Sequence, residues 1–441
     1  MTIAHASDVI VIGGGFSGVA AAAALRARGF DVTILERHAV LGGRARSDVR
    51  GESAIDTGAQ LIASTFDRTL RLLASTSLEP TVARDVFVRD GRRLPIHFGS
   101  MTSMLRFRGL SAGDKVRLGT KLLPLLTRYH DALRADADDG LEELDHVAAR
   151  PFVEQAISTR AADILVEPPL NAFYGARGSE TSFAFFLTLG RYATDAKLLA
   201  CRDGWSSALA RALPNVRVEC DITVDALEID SSGVVVRDAL GREWSARAIV
   251  IATGAATARV LLDGTHQATQ PLARWLESIT TRPTWTAMLA LKHPVPADAF
   301  GVLADPALST TVSACALPGG RWRASREPDD VVLAWPTPDA VDRLRDRSAT
   351  DIVAAMMPEI ERLVPQVRGS VERARVFRFD DGTPVATPGF VAHRATGRRL
   401  ADTLSLPIAL AGDYLTMPLV EGAVSSGERA AARVVRYLAG A

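Results

Sequence analysis

Apolar and polar positions alternate along this chain in blocks that predict most of its elements. Asp8–Ile12 (DVIVI) is a short β-branched run closed by glycine, the pattern of a strand buried on both faces. Phe16 to about Arg28 is alanine-rich, which predicts a thin helix able to pack close to a sheet. Gly29–Glu36 (GFDVTILE) returns as a second strand, completing a strand–helix–strand unit. Gly204–Ala255 reads as a helix, several short alternating strands and a strand ending in Ala252-Thr253-Gly254. Thr284–Val295 and Val331–Pro338 read as strands of another sheet. Near the far end, Ile408–Ala411 predicts a strand, and a long small-residue helix starts around Leu419–Ala423.

The region between about 81 and 199 is largely helical in pattern. Within it, Thr102–Tyr129 carries six basic residues and one acid among many leucines. Such a basic amphipathic segment predicts a helix pair with one face on the core and the other in solvent, and peripheral membrane contact is its alternative. The acidic run Asp131–Asp145 is expected to be a solvated loop and helix start.

Composition narrows the function. Lys plus Arg equals Asp plus Glu, 51 against 51, so no global charge points to nucleic acid. Three widely spaced cysteines, Cys201, Cys220 and Cys315, form neither a disulfide framework nor a metal-ligand spacing, so no metal is expected and a reducing cytoplasm is the expected home. The uncharged run Val9–Leu25 contains three successive glycines and has no basic residue before it, which fits neither a signal peptide nor a spanning helix. The chain has no G-x-S-x-G, H-E-x-x-H, C-x-x-C or P-loop, and no second G-x-G-x-x-G for a separate NADPH domain.

Gly13, Gly15 and Gly18 form G-x-G-x-x-G between the first strand and its helix. Gly13 allows the tight turn, Gly15 lets a pyrophosphate approach the backbone, and Gly18 lets the helix pack close to the sheet. Phe16 and Ser17 open the helix, whose free N–H groups and positive dipole end face the phosphates. Glu36 closes the second strand 18 positions after Gly18, where a carboxylate can accept from a ribose diol. Arg37 follows it. Gly42 and Gly43 then bring backbone near the pyrophosphate again, and Arg44 adds a positive charge.

The segment Asp8–Ser47, with its GGR extension, resembles the FAD fingerprint of the flavin amine oxidase superfamily, close to its phytoene desaturase, protoporphyrinogen oxidase and squalene-associated branch. The resemblance implies an α/β fold: a glutathione-reductase-like, Rossmann-type FAD-binding domain from 1–80, 200–280 and 395–441, with an interleaved α+β substrate domain from 81–199 and 281–394. It implies that Ala59 and Gln60 of Ala54–Ile62 reach the flavin ring. It further implies that the backbone around Val224 meets adenine and that Ala252-Thr253-Gly254 passes the pyrophosphate. In Gly412-Asp413 the acid would bind the ribityl chain, and Val420 and Ala423 would begin the helix under the flavin pyrimidine.

Ile164–Tyr192 is similar to the corresponding region of the same branch, which makes Tyr174, Phe185, Phe186 and Tyr192 candidate walls of an apolar cavity, with plain core packing the favoured reading for each taken singly. Gln60, Tyr192 and Trp335 are the candidate catalytic, pocket-lining residues. Two departures from the family matter. The register that often holds a lysine near flavin N5 places Thr286 there, with Lys292 at the strand's end. Residues 395–441 contain no Cys or His to tether flavin, so FAD is expected to be non-covalent. The resemblance therefore implies an oxidoreductase that dehydrogenates a mostly apolar small molecule, an isoprenoid or secondary metabolite, by hydride transfer to flavin N5. Electrons would pass to oxygen, a quinone or a protein. An amine oxidase and a non-redox isomerase are the alternatives, and a homodimer is left open.

Overall fold

The computed structural model describes residues 3–50, 53–81, 85–97, 100–137, 139–230, 233–296, 299–321 and 329–440. Its first sheet runs in the order Arg217–Glu219, Val32–Leu35, Ile3–Ile12, Glu243–Ile251, Gly233–Asp238, Val224–Asp230, with Ile408–Leu410 added parallel to the end of Glu243–Ile251. The strands around Ile3–Ile12 are parallel and those of the 224–238 hairpin antiparallel. Because side chains alternate across a strand, Val9 and Val11 enter one core while Ile10 and Ile12 enter another. Helices Phe16–Arg26 and Val420–Leu438 cover the first face, and Ala255–Leu262, Gln270–Glu277 and Phe390–Thr403 the second. The expected uninterrupted apolar strands are thus buried on both sides, Ile249, Val250 and Ile251 completely.

A second sheet has the order Val371–Pro384, Thr281–Val295, Asp329–Pro336, Val312–Ala316, Gly301–Ala304, Asp85–Arg89, Arg92–Ile96. One face packs on Ala349–Leu363 through Trp285, Leu289, Val332 and Ala334. The opposite face presents Leu303, Ala314 and Trp335 to the large cavity between the sheet and the helices of residues 101–193. Every strand of the first sheet falls in 1–80, 200–280 or 395–441, but the boundary drawn at 395 cuts the helix Phe390–Thr403.

Two expectations about the helical region sharpen. Thr102–Tyr129 is a helix Met101–Arg106 followed by a run from Ala112 to Arg128, started by a capping box between Ser111 and Asp114. A wider π turn at Leu118–Leu122 precedes Pro124, whose missing N–H removes a helical bond. The acidic run is not wholly solvated. Asp145 is 4% exposed and accepts from Ser182 Oγ (2.6 Å) and Val391 N (2.7 Å), and Asp136 pairs with Arg68 and Arg134. Charge composition alone misplaced Asp145, because its acceptors are satisfied by groups distant in sequence.

Candidate functional site

The glycine turn is built around one backbone requirement. Gly13 has φ +105°, its N–H donates to Leu35 O at 2.9 Å, and a Cβ there would stand 2.8 Å from Ala252 O. At Gly15 a Cβ would meet nothing nearer than Gly42 O at 4.0 Å, so the space beside it belongs to the cavity that it lines. The helix that follows has no side-chain cap, which leaves its first N–H groups for a ligand. Phe16 and Ser17 line the cavity with it. Gly18 does not. It stands behind the wall, where a Cβ would be 1.9 Å from Gly13 O, so its part is helix packing rather than cofactor contact.

Glu36 is 4% exposed and lines the same space. Its two carboxylate oxygens accept from Gly14 N (2.7 Å) and His38 N (2.9 Å), so the acid shapes the loop that it was expected to serve only as a ribose acceptor. Gly42 N donates to Gly14 O at 2.8 Å, joining the two glycine segments. Arg44 is not a free cation. Its Nη2 donates to Asp413 Oδ1 at 2.6 Å, and although burial pulls the guanidinium's pKa down, the Asp413 charge outweighs it and raises it.

Asp413 follows Gly412, whose N–H donates to Ser426 Oγ at 2.9 Å. The final helix begins at Val420 without a side-chain cap, and its first-turn acid, Glu421, turns to the backbone of Arg68 and Thr69. Arg37, Ala59, Val224, Ala252, Thr253, Gly254, Val420 and Ala423 all line the cavity. Two uncapped helix N-termini therefore meet one cleft. That donor set, with room beside Gly15 and a carboxylate at Glu36, fits a dinucleotide whose phosphates lie at the first helix and whose electron-rich ring lies at the last.

The cleft continues, within a cavity of about 1280 Å3, into an apolar half lined by Leu118, Leu122, Leu126, Leu165, Phe186 and Trp335. Gln60 lines the junction. Its amide nitrogen donates to Asp56 O and Gly58 O, while Oε1 is buried without a partner among the described residues. Tyr192 lines the cavity, and its hydroxyl oxygen accepts from Ala135 N at 3.0 Å. Phe185 is a wall one layer back, packed edge-on against Tyr174 at 5.2 Å, whereas Tyr174 and Phe186 reach the cavity. Burial pushes the Tyr174 phenol's pKa up. Thr286 lines the cavity and Lys292 is exposed at its strand's end.

Asp85 is among the lining residues that escaped the sequence reading. Asp85 opens the strand Asp85–Arg89 and accepts from Gly301 N at 3.0 Å. An acid at the head of an alternating strand carries no signal by itself, and only the register Asp85↔Gly301 and Phe87↔Leu303 shows which face it joins.

Comparison with known proteins adds the lineage. The family model described as flavin containing amine oxidoreductase matches residues 16–435. A coproporphyrinogen III oxidase from Propionibacterium freudenreichii subsp. freudenreichii is 28% identical over 40% of this chain, and the match spans 33% of that enzyme. A coproporphyrinogen III oxidase from Mycobacterium bovis is 26% identical, with 97% of each chain covered. The solved structure of cyclohexylamine oxidase from Brevibacterium oxydans aligns with a TM-score of 0.73 at 18% identity, covering 98% of this chain and 99% of that one, a likeness of fold.

Proposed function

The chain belongs to the flavin containing amine oxidoreductase family and is a flavin-dependent oxidoreductase, and from that premise we propose that it holds FAD non-covalently and dehydrogenates a mostly apolar small molecule. When bound, the flavin supplies a hydride acceptor at N5 and an exit for electrons to oxygen, a quinone or a protein. The chain's residues supply the rest. The first helix, Gly15 and Gly43 present backbone N–H groups to phosphates, and Glu36 accepts from the ribose. The start of the last helix at Val420 would stabilise negative charge on the ring and so favour its reduced state.

The observation that carries the substrate reading is the leucine-rich half of the cavity, continuous with the dinucleotide cleft. Leu118, Leu122 and Leu126 come from the apolar face of the basic segment, so that face walls the cavity. Such walls exclude water and hold an apolar body against the ring. Hydride transfer from a C–H bond requires orientation rather than a strong base. Among the described residues, no helix is long and apolar enough to cross a membrane.

The test is anaerobic mixing of the FAD-loaded protein with polyenes, other apolar C–H donors and a panel of amines, following the visible absorbance of oxidised flavin. Bleaching by apolar donors supports the reading. Bleaching by amines alone, with aldehyde and peroxide on admitting air, replaces it with amine oxidation; turnover without net flavin reduction or an acceptor replaces it with isomerisation.

A further inference from the structure

Among the described acids that line the cavity, Asp85 stands on the strand Asp85–Arg89, at the other end of the sheet from Asp380 and Asp381 on Val371–Pro384, and its surroundings leave it incomplete. Oδ1 accepts the Gly301 N–H, and no cation among the described residues pairs with the carboxylate. Alternation puts it on the same face as Phe87, Leu303 and Ala314, beneath apolar neighbours such as Met104 and Phe300. Of the other charged groups in the wall, Glu36 and Asp413 belong to the dinucleotide cleft, Asp381 accepts from Thr257 Oγ1 at 2.8 Å, and Asp380 beside it is exposed. Arg378 lines the cavity but donates to Arg345 O and Arg347 O, and Arg44 is bound to Asp413.

Position in the sheet sets the scale. From the strand of Thr286 to that of Asp85 the order passes through Asp329–Pro336, Val312–Ala316 and Gly301–Ala304. Four strand spacings amount to roughly 19 Å. A group held at Asp85 is therefore far from one reacting beside Thr286, and a ligand reaching both must be long.

We propose that Asp85 is the distal anchor of the substrate cavity and selects elongated apolar molecules ending in a protonated nitrogen over those ending in a carboxylate. This deepens the function proposed above and rests on it, with the reacting end taken to lie beside Thr286, where the family resemblance puts the register near flavin N5. A carboxylate in an apolar wall is costly when alone, and a ligand cation restores the missing partner. A hydroxyl supplies a hydrogen bond without the charge, and a ligand carboxylate meets repulsion.

The anchor is also sensitive to pH. Burial raises the Asp85 pKa to about 7, against the lowering effect of the Gly301 N–H. Its own strand ends in Arg89, held by Asp305, and the neighbouring strands add Arg92, Arg93, which donates to Leu363 O, His97 past the end of Arg92–Ile96, and Cys315 on Val312–Ala316. None of these contributes to the Asp85 shift.

Isothermal titration of the FAD-loaded protein with n-decylammonium, 1-decanol and decanoate, each below its micelle concentration, tests the anchor. At about pH 8.5 the wild type should bind decylammonium at least ~10-fold tighter than decanoate. Asp85→Asn should erase that preference while leaving 1-decanol affinity and FAD content unchanged. The wild-type preference should also shrink as pH falls from about 8.5 to about 5.5, because the carboxylate protonates while the amine stays charged. A preference retained in Asp85→Asn, or absent from the wild type, or flat with pH, overturns the proposal. Flavin reduction by substrate, read on the same preparations, separates the failures: a protein with the preference but no flavin chemistry loses only the function, and one with the chemistry but no preference loses only the anchor.

Discussion

Arg44 and Asp413 stand 369 positions apart in the chain and meet as an ion pair at 2.6 Å in the wall of the cavity. One comes from the first glycine segments and the other from the turn before the last helix. The contact ties the two ends of the dinucleotide cleft together, and it leaves Arg44 with less charge to offer a phosphate than its place after Gly42-Gly43 suggests.

A double-mutant cycle should expose this coupling. Arg44→Met and Asp413→Asn, alone and combined, are expected to show an interaction energy of about 1 kcal/mol in chemical denaturation of the flavin-free protein. The figure is kept low because the Arg44 side chain is 38% exposed. Strictly additive effects would mean that the pair does not hold the cleft.

Glu36→Ala should lower FAD retention and also destabilise the flavin-free protein by about 1–3 kcal/mol, since Gly14 N and His38 N lose their acceptor. Flavin content after gel filtration measures the first effect and urea denaturation the second. Full retention of flavin would remove Glu36 from the cofactor site.

Gly427→Ala tests the packing that brings the two helix N-termini to one cleft. A Cβ at Gly427 would lie 2.1 Å from Ser17 O, on the helix whose uncapped N-terminus lines the cleft. The added methyl should push the helices apart and cost about 1–3 kcal/mol of stability. An unchanged urea midpoint would contradict the close approach.

Stability should depend on pH through Asp85. Its folded-state pKa, about 7, lies above the ordinary 3.8, so the folded state binds the proton more tightly. That contribution is complete below the ordinary value and is lost as pH rises through about 7. Asp85→Asn, which keeps an acceptor for Gly301 N, should therefore gain stability relative to the wild type between acidic and mildly alkaline pH. Parallel urea denaturation curves at the two pH values check this, and a constant difference would refute it.

What the sequence made legible follows from range. The strand–turn–helix of Gly13 to Gly18, the second strand and Glu36 are local patterns, each forced by backbone geometry or by burial on both faces, and they stand where the spacing puts them. Asp413 and the start of the last helix were legible through the family resemblance. The partnership of Arg44 with Asp413 was not, because nothing in either motif announces a contact across most of the chain. Tyr192 was legible as a cavity wall, but the Ala135 N–H that pins its hydroxyl was not. Asp145 shows the same limit: an acid in an acidic run reads as solvated until Ser182 and Val391 arrive from elsewhere.

The most direct measurement is the flavin content of the purified protein. Denaturation without proteolysis should release intact FAD into the supernatant, close to one molecule per chain, leaving a colourless polypeptide. A protein that is isolated without flavin and takes up none when FAD is offered would contradict the account at its root.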